Sequence, residues 1–345
     1  MPYEPPQDPR TARRSTITRW VSFVLVAILV ALVAYLAYVG VAGSGQLADP
    51  PSASADCRTP IATGWVYEAI NYNAASDATL ADLPDPEHCP RQGADAGGAL
   101  QTVDGVSIAG WYIPSGNGSG PTGPTVVLAH GFGGNKSTML AFAQVLHNDY
   151  NLVIFDFRNH GQSGGTQTTG GALEQEDVRA VIGWIDDQKG PKKIAVLGVS
   201  MGGAAALSEA VEDAHVDALI LDSTHATLAD AIQARLDRQG YPLSLPGAWS
   251  ILLGSLIRTG QDVSSVDPLQ RIGLYDRPVL IIVGGQDDAI GPTDGQDLLA
   301  AAREAGNETA DLRVCDEAAH GQPIRACRGV YSDWVLGFLE RSLAP

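Results

Sequence analysis

At 345 residues the chain is long enough for one large α/β domain plus an appended segment, and it is short for two domains of ordinary size. Its 39 acidic and 22 basic residues give a formal net charge of −17, which argues against nucleic acid or an anionic lipid surface as a partner. Hydrophobic residues make up 45% of the chain and charged residues 18%, which is a globular composition.

The first predicted element is a membrane-spanning helix at residues 20–43. No charged residue occurs between Trp20 and Gly43, and this stretch is long enough to cross the hydrocarbon core of a bilayer. A cleaved secretory signal has an apolar core of only about 7 to 15 residues. We therefore expect an uncleaved signal anchor, with a cleaved signal or a buried soluble helix as the alternatives.

The charges around this helix predict its orientation. Four arginines precede it and no basic residue follows it before Arg58, so the positive-inside rule places residues 1–19 in the cytoplasm as a tail. The rest of the chain then lies outside the cell membrane, beginning with a flexible stalk at residues 44–56 that contains Pro, Ser and Gly. A folded domain at residues 57–345 follows, and the chain without its first 42 residues carries a charge of −19. The four arginines are Arg10, Arg13, Arg14 and Arg19.

Four cysteines lie on the exported side of this helix. In an oxidising compartment an even count of cysteines indicates disulfides. Proximity along the chain favours Cys57 with Cys89 and Cys315 with Cys327 among the three pairings that four cysteines allow. No two of them have the short Cys-x-x-Cys spacing of zinc ligands, and we predict neither a metal site nor a cofactor.

Beyond residue 100 short apolar runs alternate with helical patterns. Such runs are typical of strands in the centre of a parallel sheet, and the helices between them indicate a mostly parallel sheet with helices on both faces. Residues 225–275 interrupt the alternation, and we interpret them as a small helical cap over the carboxyl edge of the sheet, with an ordinary surface-packed helical insertion as the alternative. The predicted strands are residues 106–113, 125–129, 152–157, 194–198, 218–221 and 279–283, and the predicted helices are residues 137–147, 174–188, 203–214 and 296–305.

A nucleophile is indicated where one of these strands meets a helix. Gly198-Val199-Ser200-Met201-Gly202 matches the Gly-x-Ser-x-Gly motif, with an apolar strand before it and small residues of a helix start after it. A serine on so sharp a turn needs a strained backbone, and glycines two positions away on either side remove clashes with side chains. We therefore predict Ser200 as the nucleophile.

Residues 130–134 follow an earlier strand and are placed to form an oxyanion hole. Their sequence is His-Gly-Phe-Gly-Gly, and a loop of this kind can turn a backbone N–H group towards the nucleophile. The N–H groups of Phe132 and Met201 are the two expected donors. His130 precedes the serine in the chain and is expected to shape this loop rather than to act as the base.

The acid should leave the end of a strand that follows the serine, and the base should come last. The predicted strand at residues 279–283 leads to Asp287 and Asp288, either of which could orient a base. His320 is the only histidine after these aspartates. The acid would fix the tautomer of the imidazole, and His320 would remove the proton of the serine.

Residues 100–340 resemble α/β-hydrolases of the serine-aminopeptidase-like and monoacylglycerol-lipase-like type. The resemblance rests on the elbow at Ser200 and on the segments at residues 104–112, 155–164 and 221–224. It implies the α/β-hydrolase fold, in which a mostly parallel sheet carries helices on both faces and the triad follows the order Ser, Asp, His.

The same resemblance assigns the acid. The stretch after the predicted strand is similar to the family's His-Gly-x-x-Asp-x-x-x-Pro loop, and aligning Gly285 and Pro292 with that pattern places the acid at Asp288. Asp287 is the alternative, and Asp222, at the end of the strand after the nucleophile, ranks third. The family's Asp-x-Arg-x-x-Gly-x-Ser loop is architectural, which implies structural roles for its counterparts here. These are Asp156, Arg158, His160 and Ser163.

Together these features predict a membrane-anchored serine hydrolase that cleaves a carboxylic ester or a related acyl bond through an acyl-enzyme intermediate. Peptidase or amidase chemistry and acyl transfer run on the same triad and are alternatives, as is a binding protein built on an inactive hydrolase fold. The substrate is expected to be a small-molecule or lipid-like ester, and the apolar segment at residues 241–257 favours the lipid-like one.

Overall fold

One eight-stranded sheet forms the centre of the computed structural model, which describes residues 9–50, 58–72, 99–291 and 293–344. Short runs of β-branched and other apolar residues form its inner strands, because such side chains pack well on both faces of a buried sheet. The strands are β1 (Glu68–Ile70), β2 (Gly110–Ile113), β3 (Thr125–Ala129), β4 (Asn151–Phe155), β5 (Ile194–Val199), β6 (Val216–Asp222), β7 (Val279–Gly284) and β8 (Asp311–Cys315).

The strand order is β1-β2-β4-β3-β5-β6-β7-β8. The pairings from β4 to β8 are all parallel, whereas β2 pairs antiparallel with both β1 and β4. The carboxyl ends of the parallel strands therefore meet along one edge, which is where open α/β sheets hold their ligands.

Helices connect the parallel strands and cover both faces of the sheet, because a parallel pair needs a crossover connection. In chain order the α-helices of the described residues are α1 (Pro9–Ala48), which precedes the sheet, α2 (Leu140–Leu146), α3 (Glu174–Gln188), α4 (Met201–Glu212), α5 (Leu228–Arg238), α6 (Ser244–Thr259), α7 (Pro268–Ile272), α8 (Asp294–Glu304), α9 (Pro323–Ala326) and α10 (Arg328–Ser342).

Alternate residues along each inner strand divide the core into two layers. Val127 and Ala129 of β3 pack with α3, α4 and α8, whereas Val126 and Leu128 pack with α2 and α10 on the opposite face. All four side chains are fully buried. The layers follow from the two-residue period of a strand and shield both faces of the sheet from water.

The predicted α/β-hydrolase architecture is confirmed, with few differences in its elements. β3 and α3 have the bounds that the sequence predicts, and the ends of the other predicted strands differ by a few residues. β8 and α10 are absent from the sequence prediction. β8 lies at the edge of the sheet and carries Asp311 and Arg313, so it lacks the apolar run of an inner strand.

α1 runs to Ala48, so the predicted stalk is wrong for its first residues. The stalk was expected from residue 44, but Ser44 and Ala48 are buried against the rest of the protein. The carbonyl of Ala48 accepts hydrogen bonds from the N–H of Thr168 (2.7 Å) and the side chain of Asn159 (3.1 Å). Tertiary packing thus continues the helix where the local sequence favours a loop. Residues 51–57 of the predicted stalk lie outside the described residues.

A third apolar cluster joins the end of α1 to α5 and α6, which occupy the region predicted as a cap. A Cβ atom at Gly40 would lie 2.7 Å from the carbonyl oxygen of Ser250, and one at Gly254 would lie 2.6 Å from that of Gly40. The backbones approach closely because both positions are glycine, the usual device at tight helix pairs. Arg258 adds a hydrogen bond of 3.1 Å to the carbonyl of Val41.

A disulfide joins Cys315 at the end of β8 to Cys327 at the start of α10, which confirms this predicted pair. His320 lies in the loop between the two cysteines. The other predicted pair, Cys57 and Cys89, lies outside the described residues.

Replacing Gly254 with Ala should destabilise the protein, because the added methyl group meets the backbone of α1. We expect a loss of about 1–3 kcal/mol in the free energy of unfolding. Gly183→Ala in α3 is the matched control, since a Cβ there meets nothing within 4 Å, and it should stabilise by about 0.5–1 kcal/mol. Denaturant unfolding of both variants in detergent micelles measures the difference. Equal stabilisation by both would contradict close packing of α1 on α6.

Candidate active site

Ser200 lies on the tight turn between β5 and α4. Its backbone has φ 54° and ψ −117°, a strained conformation for a residue other than glycine. A Cβ atom at Gly198 or Gly202 would overlap backbone atoms that cross beside the turn, the latter at Ala129. The N–H of Ser200 donates to the carbonyl of Asp222 at 2.8 Å. Glycines on both sides and the end of β6 therefore hold the strained turn in place.

His320 lies between Ser200 and Asp287. Its Nε2 is 3.0 Å from Ser200 Oγ, and its Nδ1 is 2.9 Å and 3.1 Å from the two carboxylate oxygens of Asp287. The Asp287 side chain is 2% exposed. Because an ionised carboxylate only accepts hydrogen bonds, Nδ1 carries the proton and Nε2 is free to accept from the serine hydroxyl. This is the geometry of a Ser-His-Asp triad.

The structure pairs His320 with Asp287, so the expected pairing with Asp288 is wrong by one residue. The carboxylate of Asp288 is 74% exposed and lies 3.8 Å from Arg238. Pro292, the proline that set the alignment favouring Asp288, lies outside the described residues.

The turn after β7 explains the one-residue difference. The N–H of Gly285 donates to the carbonyl of Cys315 at 2.8 Å, and the N–H of Gln286 donates to that of Ala318 at 2.9 Å. These bonds fix the start of the turn against the loop that carries the histidine. The next residue, Asp287, is the one that reaches the imidazole.

A second buried carboxylate, Asp222, supports the histidine loop from the end of β6. It accepts hydrogen bonds from the hydroxyls of Tyr331 and Ser223, both at 2.9 Å. Ser223 Oγ in turn accepts from the N–H of Gly321 at 3.0 Å. Burial raises the pKa of Asp222 to about 6, although both hydroxyls favour the charged form. Asp222, ranked third as the acid, thus holds the backbone next to the histidine.

Two histidines shape the predicted oxyanion loop. Nε2 of His130 accepts from the N–H of Phe157 at 3.0 Å, and its Nδ1 donates to the carbonyl of Gly131 at 2.8 Å. Burial lowers the pKa of His130 to about 3, so this histidine is neutral. Nε2 of His160 accepts from the N–H of Gly133 at 3.1 Å. Both imidazoles fix backbone groups, as expected for residues with a structural role.

Phe132 and Met201, the predicted oxyanion donors, both line the cavity at Ser200. Met201 is the first residue of α4, where an N–H group has no acceptor within the helix. The amino terminus of α4 also favours negative charge beside the serine. The assignment of these two N–H groups as oxyanion donors stays a prediction.

Ion pairs hold the loop after β4, which the sequence predicts to be architectural. Arg158 lies 2.8 Å from carboxylate oxygens of both Asp104 and Asp177. Asp156 is fully buried and pairs with Lys136 at 2.5 Å. The structural contacts of Asp156 and Arg158 agree with the roles implied by the family resemblance, while Lys136 was not singled out in the sequence.

An open cavity of about 280 Å³ lies over Ser200. Besides Ser200 and His320 it is lined by Leu47 of α1, by His225 after β6, and by Ile232 and Arg235 of α5. His225 is buried, its Nε2 has no hydrogen-bond partner among the described residues, and burial lowers its pKa to about 4. Sequence reasoning missed these four residues, because nothing local indicates that α1 and α5 border the elbow.

A strained serine elbow, a histidine and a buried aspartate at the carboxyl edge of a parallel sheet define the class of α/β-hydrolases. Residues 124–261 match the family model of the alpha/beta hydrolase fold. The uncharacterized protein YfhR of Salmonella typhimurium is 30% identical over 260 residues, which are 70% of this chain and 80% of the relative. The chain therefore belongs to the α/β-hydrolase family.

Other relatives and solved structures are similar over comparable parts of the chain. An uncharacterized protein of Mycobacterium tuberculosis is 32% identical over 208 residues, which are 59% of this chain and 66% of the relative. The esterase Pf2001 of Pyrococcus furiosus superposes with a TM-score of 0.65 and 24% identity, covering 86% of this chain and all of its own. An esterase from Exiguobacterium antarcticum has a TM-score of 0.51 and 19% identity, covering 70% of this chain and 98% of its own. At these identities the structural likeness shows the fold.

The raised pKa of Asp222 predicts how stability changes with pH. In the folded state the group binds its proton up to about pH 6, and in the unfolded state only up to about pH 4, so stability falls as the pH rises through that window. Asp222→Asn removes this titration. Relative to the variant, the wild type should lose up to about 3 kcal/mol between pH 4 and 6 and change little above it. Denaturant unfolding across pH 4–7 tests this, and a difference independent of pH would contradict it.

Proposed function

We propose that this protein is a membrane-anchored serine hydrolase that cleaves carboxylic esters. The observation that carries the proposal is the 3.0 Å contact between His320 Nε2 and Ser200 Oγ, with Asp287 on the other nitrogen of the imidazole. A serine hydroxyl is a weak nucleophile until an adjacent base takes its proton. Asp287 is buried and therefore acts on the imidazole with little screening by water.

Two half-reactions follow from this geometry. Ser200 Oγ attacks the carbonyl carbon of the ester while its proton moves to Nε2 of His320, and Asp287 stabilises the imidazolium. The N–H groups of Phe132 and Met201 stabilise the negative charge that develops on the carbonyl oxygen. His320 then protonates the departing alcohol, which leaves the acyl group on the serine. A water deprotonated by the same imidazole attacks the acyl-enzyme, releases the carboxylic acid and restores the hydroxyl.

Solved structures that bear the name esterase and share this fold support an ester as the substrate. Amide cleavage and acyl transfer use the same groups, so these reactions are separated by the substrate tested. We expect the rate with an ester to exceed that with the amide of the same acid, because an alcohol leaves more readily than an amine.

We infer that α1 anchors the protein in a membrane. The segment Thr18–Ala48 is long and apolar enough to span a bilayer, and its large apolar side chains from Trp20 to Val33 are mostly exposed. Cleavage as a signal peptide would remove Val39, which is 3% exposed in the cluster with α5 and α6. Because cleavage would remove these buried contacts, an uncleaved anchor is favoured. Arginines before the helix favour a cytoplasmic amino terminus.

A fluorophosphonate probe should label the wild-type protein and fail to label Ser200→Ala, because the probe reacts with an activated serine. Ser332→Ala, which removes a hydroxyl from the surface of α10, is the matched control and should label like the wild type. In-gel fluorescence of the purified full chain measures labelling. Equal labelling of the wild type and Ser200→Ala would leave only a binding role on an inactive hydrolase fold.

Adjacent aspartates give a matched test of the acid. Asp287→Asn should lower kcat for a soluble ester by about 10²–10⁴-fold, because the amide no longer fixes the productive tautomer of His320. Asp288→Asn should keep kcat within about twofold, since that carboxylate is mostly exposed at the surface and does not pair with the imidazole. Initial rates with p-nitrophenyl acetate measure both. The reverse ranking would restore the assignment to Asp288.

A further inference from the structure

A groove between α1 and α5 adjoins the catalytic cavity. This α1–α5 groove holds a cavity of about 60 Å³ and is lined by Tyr38, Ala42 and Leu47 of α1, with Leu236 of α5 opposite. Leu47 lines the groove and the catalytic cavity alike, as do two residues of α5. The end of the helix that we assign to the membrane is therefore a wall of the active site.

The position of the groove relative to the bilayer follows from the geometry of α1. A bilayer core takes about 20 helical residues, so a span that begins at Trp20 ends near Gly40. Tyr38 then lies at the outer boundary of the core, where tyrosine is common. Tyr38 and Leu47 are nine positions apart, which corresponds to about 13.5 Å along the helix. The groove thus lies between the outer edge of the bilayer and the cavity at Ser200.

Contacts with α1 show where α5 and α6 lie relative to the bilayer. The hydroxyl of Tyr35 donates to the carbonyl of Pro242 at 2.6 Å, so the connection between α5 and α6 lies beside the outer part of the span. Further along, Arg258 Nε lies 3.3 Å from Ser44 Oγ. α6 therefore runs parallel to α1 from the outer part of the span outwards.

α6 presents an apolar stripe to its surroundings. Trp249 is 56% exposed and Ile257 is 78% exposed, and the stripe repeats every four residues along the helix. Because α6 packs directly on α1, this stripe extends the exposed apolar surface of the anchor. Both surfaces are suited to contact with lipid. Its members at four-residue spacing are Leu245, Trp249, Leu253 and Ile257.

We propose that the acyl chain of a membrane lipid ester enters the catalytic cavity from the outer leaflet along the α1–α5 groove. The proposal rests on the serine esterase function and the membrane anchor inferred above, and it names the substrate class as long-chain esters drawn from the bilayer. α1 then has two roles, because it holds the protein in the membrane and also forms one side of the acyl-chain site.

The test compares two esters that share a leaving group, p-nitrophenyl acetate in water and p-nitrophenyl palmitate in phosphatidylcholine vesicles that contain the full chain. Ala42→Phe fills the groove from α1. It should lower the rate on the palmitate ester at least about tenfold while the rate on the acetate ester stays within about twofold. Ala37→Phe is the matched control, because Ala37 is also exposed on the same helix and does not line the groove. This variant should leave both rates unchanged.

A second variant and a labelling assay distinguish failure of the lipid route from failure of the esterase function. Gln239→Trp fills the groove from the side of α5 and should repeat the selective loss if Ala42→Phe fails to fold. Fluorophosphonate labelling of Ser200 reports an intact site in each variant. Labelling and acetate hydrolysis with an undiminished palmitate rate in both groove variants would overturn the lipid route alone. Absence of labelling in the wild type would overturn the esterase itself.

Discussion

The backbone of Ser200 is the constraint on which the site depends. A serine at φ 54° is unfavourable by about 1–3 kcal/mol, so the turn persists only because its surroundings determine it. β6 supplies much of that support, since the carbonyl of Asp222 binds the N–H of the serine. The carboxylate of Asp222 binds the hydroxyl of Ser223, which in turn holds Gly321 next to the histidine. Ser200 and the loop of His320 are thus positioned by the end of one strand, and a shift of that strand would move both together.

Residues whose role depends on chain neighbours could be predicted from the sequence. Ser200 is flanked by its own strand, its glycines and its helix, and His320 is the only histidine left after the acid. For the acid, the sequence left two adjacent aspartates as the leading candidates. Asp287 and Asp288 are adjacent, and the choice between them depends on backbone hydrogen bonds to residues about thirty positions further along the chain, at Cys315 and Ala318. No local pattern carries that information.

The same limit explains why α1 was expected to be separate from the folded domain. Its apolar composition indicates a helix, but the contact with α6 depends on Gly40 and Gly254 meeting each other, and neither glycine is informative alone. For the same reason the sequence does not indicate that Leu47 and Arg235 border the catalytic cavity. Elements at the margin of the sheet, such as β8, also lack the apolar run that identifies an inner strand.

The disulfide between Cys315 and Cys327 has a consequence for when the protein becomes active. It closes the loop that carries His320, and such bonds form and persist in oxidising compartments but not in a reducing cytoplasm. On the proposed topology, a newly made chain has no disulfide across this loop until its domain has crossed the membrane. Export would then add the last covalent constraint on the loop that carries His320, so the cytoplasmic leaflet would not meet the fully cross-linked domain.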